Sequence, residues 1–228
     1  MIPSTAQPVL FTGRQLRPGA WPFGRLEPWA FDLIMADPPW RFELWSEKGE
    51  EKSAQAQYAT LDSAAIAALP VADLAAPHCL LWLWATAPML PAALSVMEAW
   101  GFRYVTMGAW HKTTVNGRTA FGTGYVLRSA CEPFLIGKIG EPVTTRSVRN
   151  LILGRVREHS RKPEEVFAAA EALMPGARRL ELFARARRKG WTAWGNEVTR
   201  FEQGEKATMR AQRSPAESSA SKKREGAL

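Results

Sequence analysis

The strongest constraint in this 228-residue chain is a short apolar run that stops on two prolines. Phe31-Asp32-Leu33-Ile34-Met35-Ala36 is nearly continuous in apolar residues and leads directly into Asp37-Pro38-Pro39-Trp40. Six residues of that composition read as a buried strand, and the prolines, lacking N–H donors, end it. A strand apolar along its length is covered on both faces, the habit of sheets sandwiched between helices. Other segments fit such a sheet. Residues 79–85 and 132–139 read as buried strands, and 102–110 as a strand that alternates loosely. Short strands are also expected at 179–184 and 191–194. Between them lie helical patterns: 63–69, capped by Asp62 and stopped by Pro70; 88–100, with Leu90, Leu94, Met97 and Trp100 on one face and Gly101 as C-cap; and a helix with Pro163 in its first position. That last helix carries Val166, Phe167, Ala170, Leu173 and Met174 on one face and ends at Pro175-Gly176. The pattern predicts an α/β fold in three layers.

Organisation follows from composition. Residues 1–30, rich in Pro, Gly and Trp, read as an irregular lead-in, 31–200 as one compact domain, and 201–228, nearly devoid of apolar residues, as a disordered basic tail. No apolar run approaches the ~20 residues of a membrane span. The start, Met1-Ile2-Pro3-Ser4, lacks the basic and apolar regions of a secretory signal. Cys79 and Cys131 stand alone, which argues against a disulfide framework and a zinc site, so a cytoplasmic protein without a metal is expected. The formal net charge is +8, and twelve basic against five acidic residues between Arg146 and Gly190 concentrate +7 of it. Such a segment suits either a solvated face or a polyanionic partner such as nucleic acid.

In open α/β sheets, ligands bind beyond the carboxyl ends of the strands, where Asp37-Pro38-Pro39-Trp40 is expected. The prolines stiffen the turn and leave carbonyls as acceptors. A carboxylate, a fixed carbonyl and a broad aromatic face suit a flat heterocycle with an exocyclic amino group: the acceptors take its N–H bonds and Trp40 stacks on the ring. The alternative for Trp40 is a packed ring in a strand-ending turn.

Asp37-Pro38-Pro39-Trp40 resembles the catalytic motif of the MT-A-seventy family of adenine N6-methyltransferases, which act on messenger RNA in eukaryotes and on DNA in many bacteria and phages. The resemblance runs from about residue 31 to 198. Co-linear agreement supports it at residues 80–86, Trp100-Gly101-Phe102, Trp110-His111-Lys112, His159-Ser160-Arg161-Lys162-Pro163, Arg179-Leu180-Glu181-Leu182-Phe183-Ala184-Arg185 and Trp191-Thr192-Ala193-Trp194-Gly195-Asn196-Glu197. It implies a Rossmann-like class I methyltransferase fold, permuted so that the catalytic strand precedes the cofactor-binding half, and S-adenosylmethionine as cofactor. Asp37, Pro38, Pro39 and Trp40 would be catalytic. Asp37, Lys162, Phe183, Arg185, Asn196 and Glu197 would meet the cofactor, Lys162 through its carboxylate. The segment Phe11-Thr12-Gly13-Arg14 offers no acid for the cofactor adenine, and Ala186-Arg187-Arg188 departs from the messenger-RNA enzyme.

Several residues keep two readings. Lys162 precedes a helix whose dipole disfavours a cation unless an anion is near, and either Glu164 and Glu165 or a bound carboxylate meets that need. Asn196 and Glu197 bind ribose hydroxyls or form a polar turn. His111, with Lys112, walls the base site or packs structurally. Glu132 is an ion-pair partner or a substrate contact. Trp82 and Trp84 share one strand face and are expected in the core.

The expected reaction is methylation of adenine N6 in a polynucleotide, the base first being unstacked. Loops 41–60 and 113–128, with Lys48, Lys52, Arg118 and Arg128, would contact the strand. DNA is preferred over RNA because no zinc knuckle or RNA module is visible. The alternatives are an RNA adenosine methyltransferase, a non-catalytic nucleic-acid-binding subunit of the same fold, and a methyltransferase of small molecules or proteins. A bacterial or phage-encoded monomer or homodimer is expected.

Overall fold

The computed structural model describes residues 21–40, 61–124, 126–158 and 161–201. The expectations for residues 1–20, for loop 41–60 with Lys48 and Lys52, for His159 and Ser160, and for the tail after Phe201 lie outside them.

Seven strands form one mixed sheet: β1 (Phe31–Ala36), β2 (Ala75–Trp84), β3 (Arg103–Thr113), β4 (Cys131–Ile139), β5 (Leu151–Arg155), β6 (Arg179–Leu182) and β7 (Trp191–Trp194). Their order is β5-β3-β4-β2-β1-β6-β7. The apolar run that ends on the prolines is β1, central in the sheet and parallel to both its neighbours, β2 and β6. β7 continues in parallel beside β6, whereas β4 runs antiparallel to β2 and β3.

The alternation of side chains sends β1 into two cores. Ile34 and Ala36 join Leu81 and Leu83 beneath α1 (Ser63–Ala67) and α2 (Leu90–Ala99), where Ile66, Ala93, Val96 and Met97 are buried. Leu33 and Met35 join Trp82 and Trp84 on the other face, against Val166, Phe167 and Ala170 of α3 (Glu164–Leu173). The fold is therefore mixed α/β with helices on both faces of a seven-stranded sheet, compatible with a Rossmann-like methyltransferase fold.

Local signals hold where they depend on a single residue. Asp62 caps α1 by accepting from Ala65 N at 2.6 Å, and Gly101, at φ +79°, turns the chain out of α2 one position past the C-cap, Trp100. Other expectations need correction. β2 begins four residues early, at Ala75. Leu94 is exposed, and Ala93 and Val96 take the inward positions, because a 3-10 turn at Ala87–Met89 precedes α2 and sets its phase. Pro163 is the N-cap, in an extended conformation, and the first helical residue is Glu164. β6 ends at Leu182 because Phe183 adopts φ +61° and turns the chain across the sheet end. β5 was not expected. It is short, it lies inside the basic stretch, and its outward residues Leu151 and Leu153 are exposed. No helix among the described residues is long and apolar enough to cross a membrane.

Candidate active site

β1 and β6 end together. Ala36 lies opposite Leu182, and Asp37 N donates to Leu182 O at 3.4 Å. From this pair the chain departs in opposite directions, β1 towards β2 and β6 towards β7, so the sheet reverses its winding here. Such a switch point opens a crevice at the carboxyl ends of the strands. The crevice is a narrow cleft lined by Asp37, Lys162, Glu181, Phe183, Arg185 and Arg188, together with Arg161 and Phe201.

A row of four alternating charges leads to it. Lys112 Nζ lies 2.8 Å from Glu132 Oε2, Glu132 Oε1 lies 2.8 Å from Lys162 Nζ, and Lys162 Nζ donates to Asp37 Oδ2 at 2.8 Å. The Lys162 side chain is only 7% exposed and stands 5.0 Å over the Trp84 ring. Burial disfavours its charge, but Asp37 and Glu132 outweigh that and raise its pKa. Burial likewise pushes the Glu132 carboxyl up, yet Lys162 and Lys112 together hold it at about 2. Glu181 lacks such a grip: burial pushes its carboxyl up to about 7, with Arg188 opposing and Asp37 adding to the rise.

Arg185 extends the row, 3.8 Å from Asp37 and 3.5 Å from Glu197, which also accepts from Arg200 at 2.8 Å. Arg188 and Arg157 hold Glu164, and the Arg188 Nε is buried without an acceptor among the described residues. A cleft offering a buried ammonium, guanidinium donors, one of them unsatisfied, and carboxylates fits a zwitterionic ligand such as the amino-acid end of S-adenosylmethionine.

Each expected residue has a definite place. Asp37 stands at the cleft mouth. Pro38 O accepts from Trp40 N at 2.8 Å and keeps its second lone pair. Pro39 O accepts from Leu61 N at 2.9 Å. Trp40 is only 5% exposed, packed in the core with its Nε1 donating to Trp84 O at 3.0 Å, so the broad open face expected of it is not presented. It braces the turn from below. Phe183 lines the cleft and packs edge-on against Trp194 at 5.7 Å. Asn196 is exposed beside the half-buried Glu197, past Gly195, where a Cβ would come within 2.8 Å of Ala184 N. Lys112 belongs to the charge row. His111 points elsewhere, its Nε2 at 3.0 Å from Thr119 Oγ1. Arg118 and Arg128 are exposed on the loop after β3.

Two further corrections concern charge. Lys162 is neutralised by Asp37 and Glu132, from two strands, and not by Glu164 or Glu165. Half of the twelve basic residues are paired: Arg157, Arg161, Lys162, Arg178, Arg185 and Arg188 hold acidic partners. Arg146, Arg149, Arg155, Arg187 and Lys189 remain exposed. Phe201, assigned to the tail, borders the cleft, with Arg161 5.0 Å over its ring and its N–H donating to Arg185 O at 3.2 Å. Sequence reasoning left Glu132 uncommitted and gave Glu181 no role. The only local signal for Glu132 was an acid opening an apolar strand.

Comparison with known proteins gives a consistent picture. The family description MT-A70 matches residues 31–197. A type II methyltransferase, M.MunI, of Mycoplasma sp is 32% identical over 194 residues, covering 77% of this chain and 81% of the relative. An Arabidopsis thaliana N(6)-adenosine-methyltransferase MT-A70-like protein is 34% identical over 173 residues, 74% of this chain and 24% of its own length. The human N(6)-adenine-specific methyltransferase METTL4 is 30% identical over 188 residues, 75% of this chain and 38% of its own length. The chain thus spans about a quarter of the plant relative and most of the bacterial one.

Proposed function

The chain belongs to the MT-A70 family, and we propose that it transfers a methyl group from S-adenosylmethionine to N6 of adenine in DNA. The observation that carries this reading is the Asp37–Lys162 pair, 2.8 Å apart at the switch point between β1 and β6. β1, with the Asp37-Pro38-Pro39-Trp40 motif, precedes β6 and β7, which lead into Phe183, Arg185, Asn196 and Glu197. We therefore read the fold as a permuted class I methyltransferase, with the catalytic domain spanning residues 31–200.

When bound, S-adenosylmethionine supplies a methyl already activated on sulfonium, so the work left to the chain is alignment. Lys162, Arg185 and the unsatisfied Arg188 Nε would hold the cofactor's carboxylate, and Asp37 and Glu181 would face its amino group. Glu197 would accept from the ribose hydroxyls, Asn196 could donate or accept there, and Phe183 lines the pocket. On the base side, the adenine N6 lone pair is delocalised into the ring, and hydrogen bonds from N6 to Asp37 and to the remaining lone pair of Pro38 O would orient the amino group for transfer. Lys162, 2.8 Å from Asp37 Oδ2, fixes the carboxylate in the turn, leaving its other oxygen as a hydrogen-bond acceptor for N6. One N6 proton must leave once the new bond forms, and Asp37 is the acceptor facing it. Trp40, fixed by Trp84 O, keeps this turn rigid.

DNA is favoured over RNA because the chain matches the bacterial type II methyltransferase over most of its length. The test is methyl transfer from labelled S-adenosylmethionine to duplex DNA, single-stranded DNA and RNA, with Asp37→Ala in parallel. Label in DNA adenine, lost by at least 100-fold in Asp37→Ala, is the expected result; no label in any polymer overturns the reading, and full activity in Asp37→Ala overturns the mechanism.

A further inference from the structure

At the Lys112 end of the charge row lies a loop that the mechanism does not use. Between Thr113 of β3 and Ala130, before β4, the chain contains Arg118 and Arg128 and no acidic residue. Its base is pinned: Lys112 N donates to Ala130 O at 2.9 Å and Ala120 N to Lys112 O at 2.8 Å. Further out, Gly122 N donates to Ser129 O at 2.8 Å, so closely that a Cβ on Gly122 would lie 2.7 Å from that oxygen. This tightly built loop nonetheless holds Phe121, Val126 and Leu127 out in solvent, 82%, 94% and 83% exposed. The Arg128 guanidinium lies 5.6 Å from the centre of the Phe121 ring, which orients the ring and places a positive charge against it.

We propose that Phe121, backed by Arg128, is a wedge that enters a DNA duplex and fills the gap left by the adenine extruded towards Asp37. This inference rests on the methyltransferase reading and specifies its substrate as a paired duplex. Apolar side chains inserted at a base step lower the cost of unstacking, and aromatic rings stack on any base. The two arginines and the absence of acids match a polyanion and oppose an acidic protein surface. Location matches as well: Lys112, at the base of the loop, is joined through Glu132 and Lys162 to Asp37.

The test compares the wild-type chain with Phe121→Ala and Phe121→Trp on three DNAs: a duplex with the target adenine paired, the same duplex with the target opposite an abasic site, and the target single strand. A second readout is the fluorescence of 2-aminopurine at the target position, which rises when the base leaves the stack. Phe121→Ala should lower kcat/KM on the paired duplex by about 5- to 100-fold and blunt the fluorescence rise. On the abasic duplex and the single strand it should change less than twofold, and Phe121→Trp should restore most of the paired-duplex rate. Equal losses on all three DNAs, no loss on the paired duplex, or a change of oligomeric state that accounts for the loss would each overturn the wedge while leaving the methyltransferase reading intact. A wild-type chain inert on every DNA would overturn both.

Discussion

Replacing Glu132 with Gln tests whether the buried charge row holds the site together. The side chain is 13% exposed and lies 2.8 Å from both Lys112 and Lys162. Its carboxyl is held at about 2 against an ordinary 4.5. The folded state therefore binds the proton more weakly than the unfolded chain, so the stabilisation is complete above pH 4.5 and is lost as pH falls towards 2. At about 1.4 kcal/mol per pH unit, the linkage is worth about 3 kcal/mol at pH 7. Gln keeps the shape and one acceptor oxygen but cannot carry the charge. Denaturant unfolding at pH 7 should show Glu132→Gln less stable by about 3 kcal/mol, with a Tm roughly 6 to 12 °C lower. At pH 3 the difference should shrink by more than half, because the wild-type chain is losing the same interaction. A penalty below 1 kcal/mol at pH 7, or one of equal size at both pH values, would refute the electrostatic account and leave Glu132 as a packing residue.

Two further substitutions have outcomes fixed by the structure. Glu181→Gln should behave oppositely to Glu132→Gln: burial raises the Glu181 carboxyl to about 7, so the wild-type chain loses stability as pH rises from 4.5 through 7, and the variant should match it at pH 4 and exceed it by up to about 3 kcal/mol at pH 8 in thermal unfolding. Trp40→Phe deletes the buried Nε1 donor to Trp84 O and should cost about 1 to 3 kcal/mol by urea unfolding, with methyl transfer lowered through a looser Asp37 turn; unchanged stability would show that this hydrogen bond does not brace the motif.

The parts of this fold legible in the sequence are those written by single residues with strong conformational demands. Pro38 and Pro39 ended β1, Gly101 and Gly176 turned chains out of helices, and Pro163 marked the start of α3 within one position. The location of Asp37 at a strand's carboxyl end and of Lys162 before α3 followed from these marks. What could not be read is what depends on partners distant in the chain. The pairing of Lys162 with Asp37 joins residues 125 positions apart, and no local pattern says which acid a buried lysine will meet. The charge count reaches no further for the same reason: it cannot tell Arg157, Arg185 and Arg188, folded back on acids of this chain, from Arg118, which is exposed. Trp40 was read as a platform because its neighbours set only its chemistry. The Trp84 carbonyl that holds its indole comes from β2, the next strand in the sheet.

The reversed direction of β4 makes the site a measuring device for strand length. Asp37 and Phe183 stand where forward-running strands finish, whereas Glu132 stands where a backward-running strand starts, opposite Trp110 and two residues before Phe134 meets Trp84. All three reach one rim only because β4 is counted from its beginning. A single residue gained or lost between Glu132 and Phe134 would swing Glu132 to the opposite face of the sheet and bring Cys131 or Pro133 to Lys162 in its place. The first three residues of β4 therefore cannot change in number without removing the carboxylate that meets Lys162.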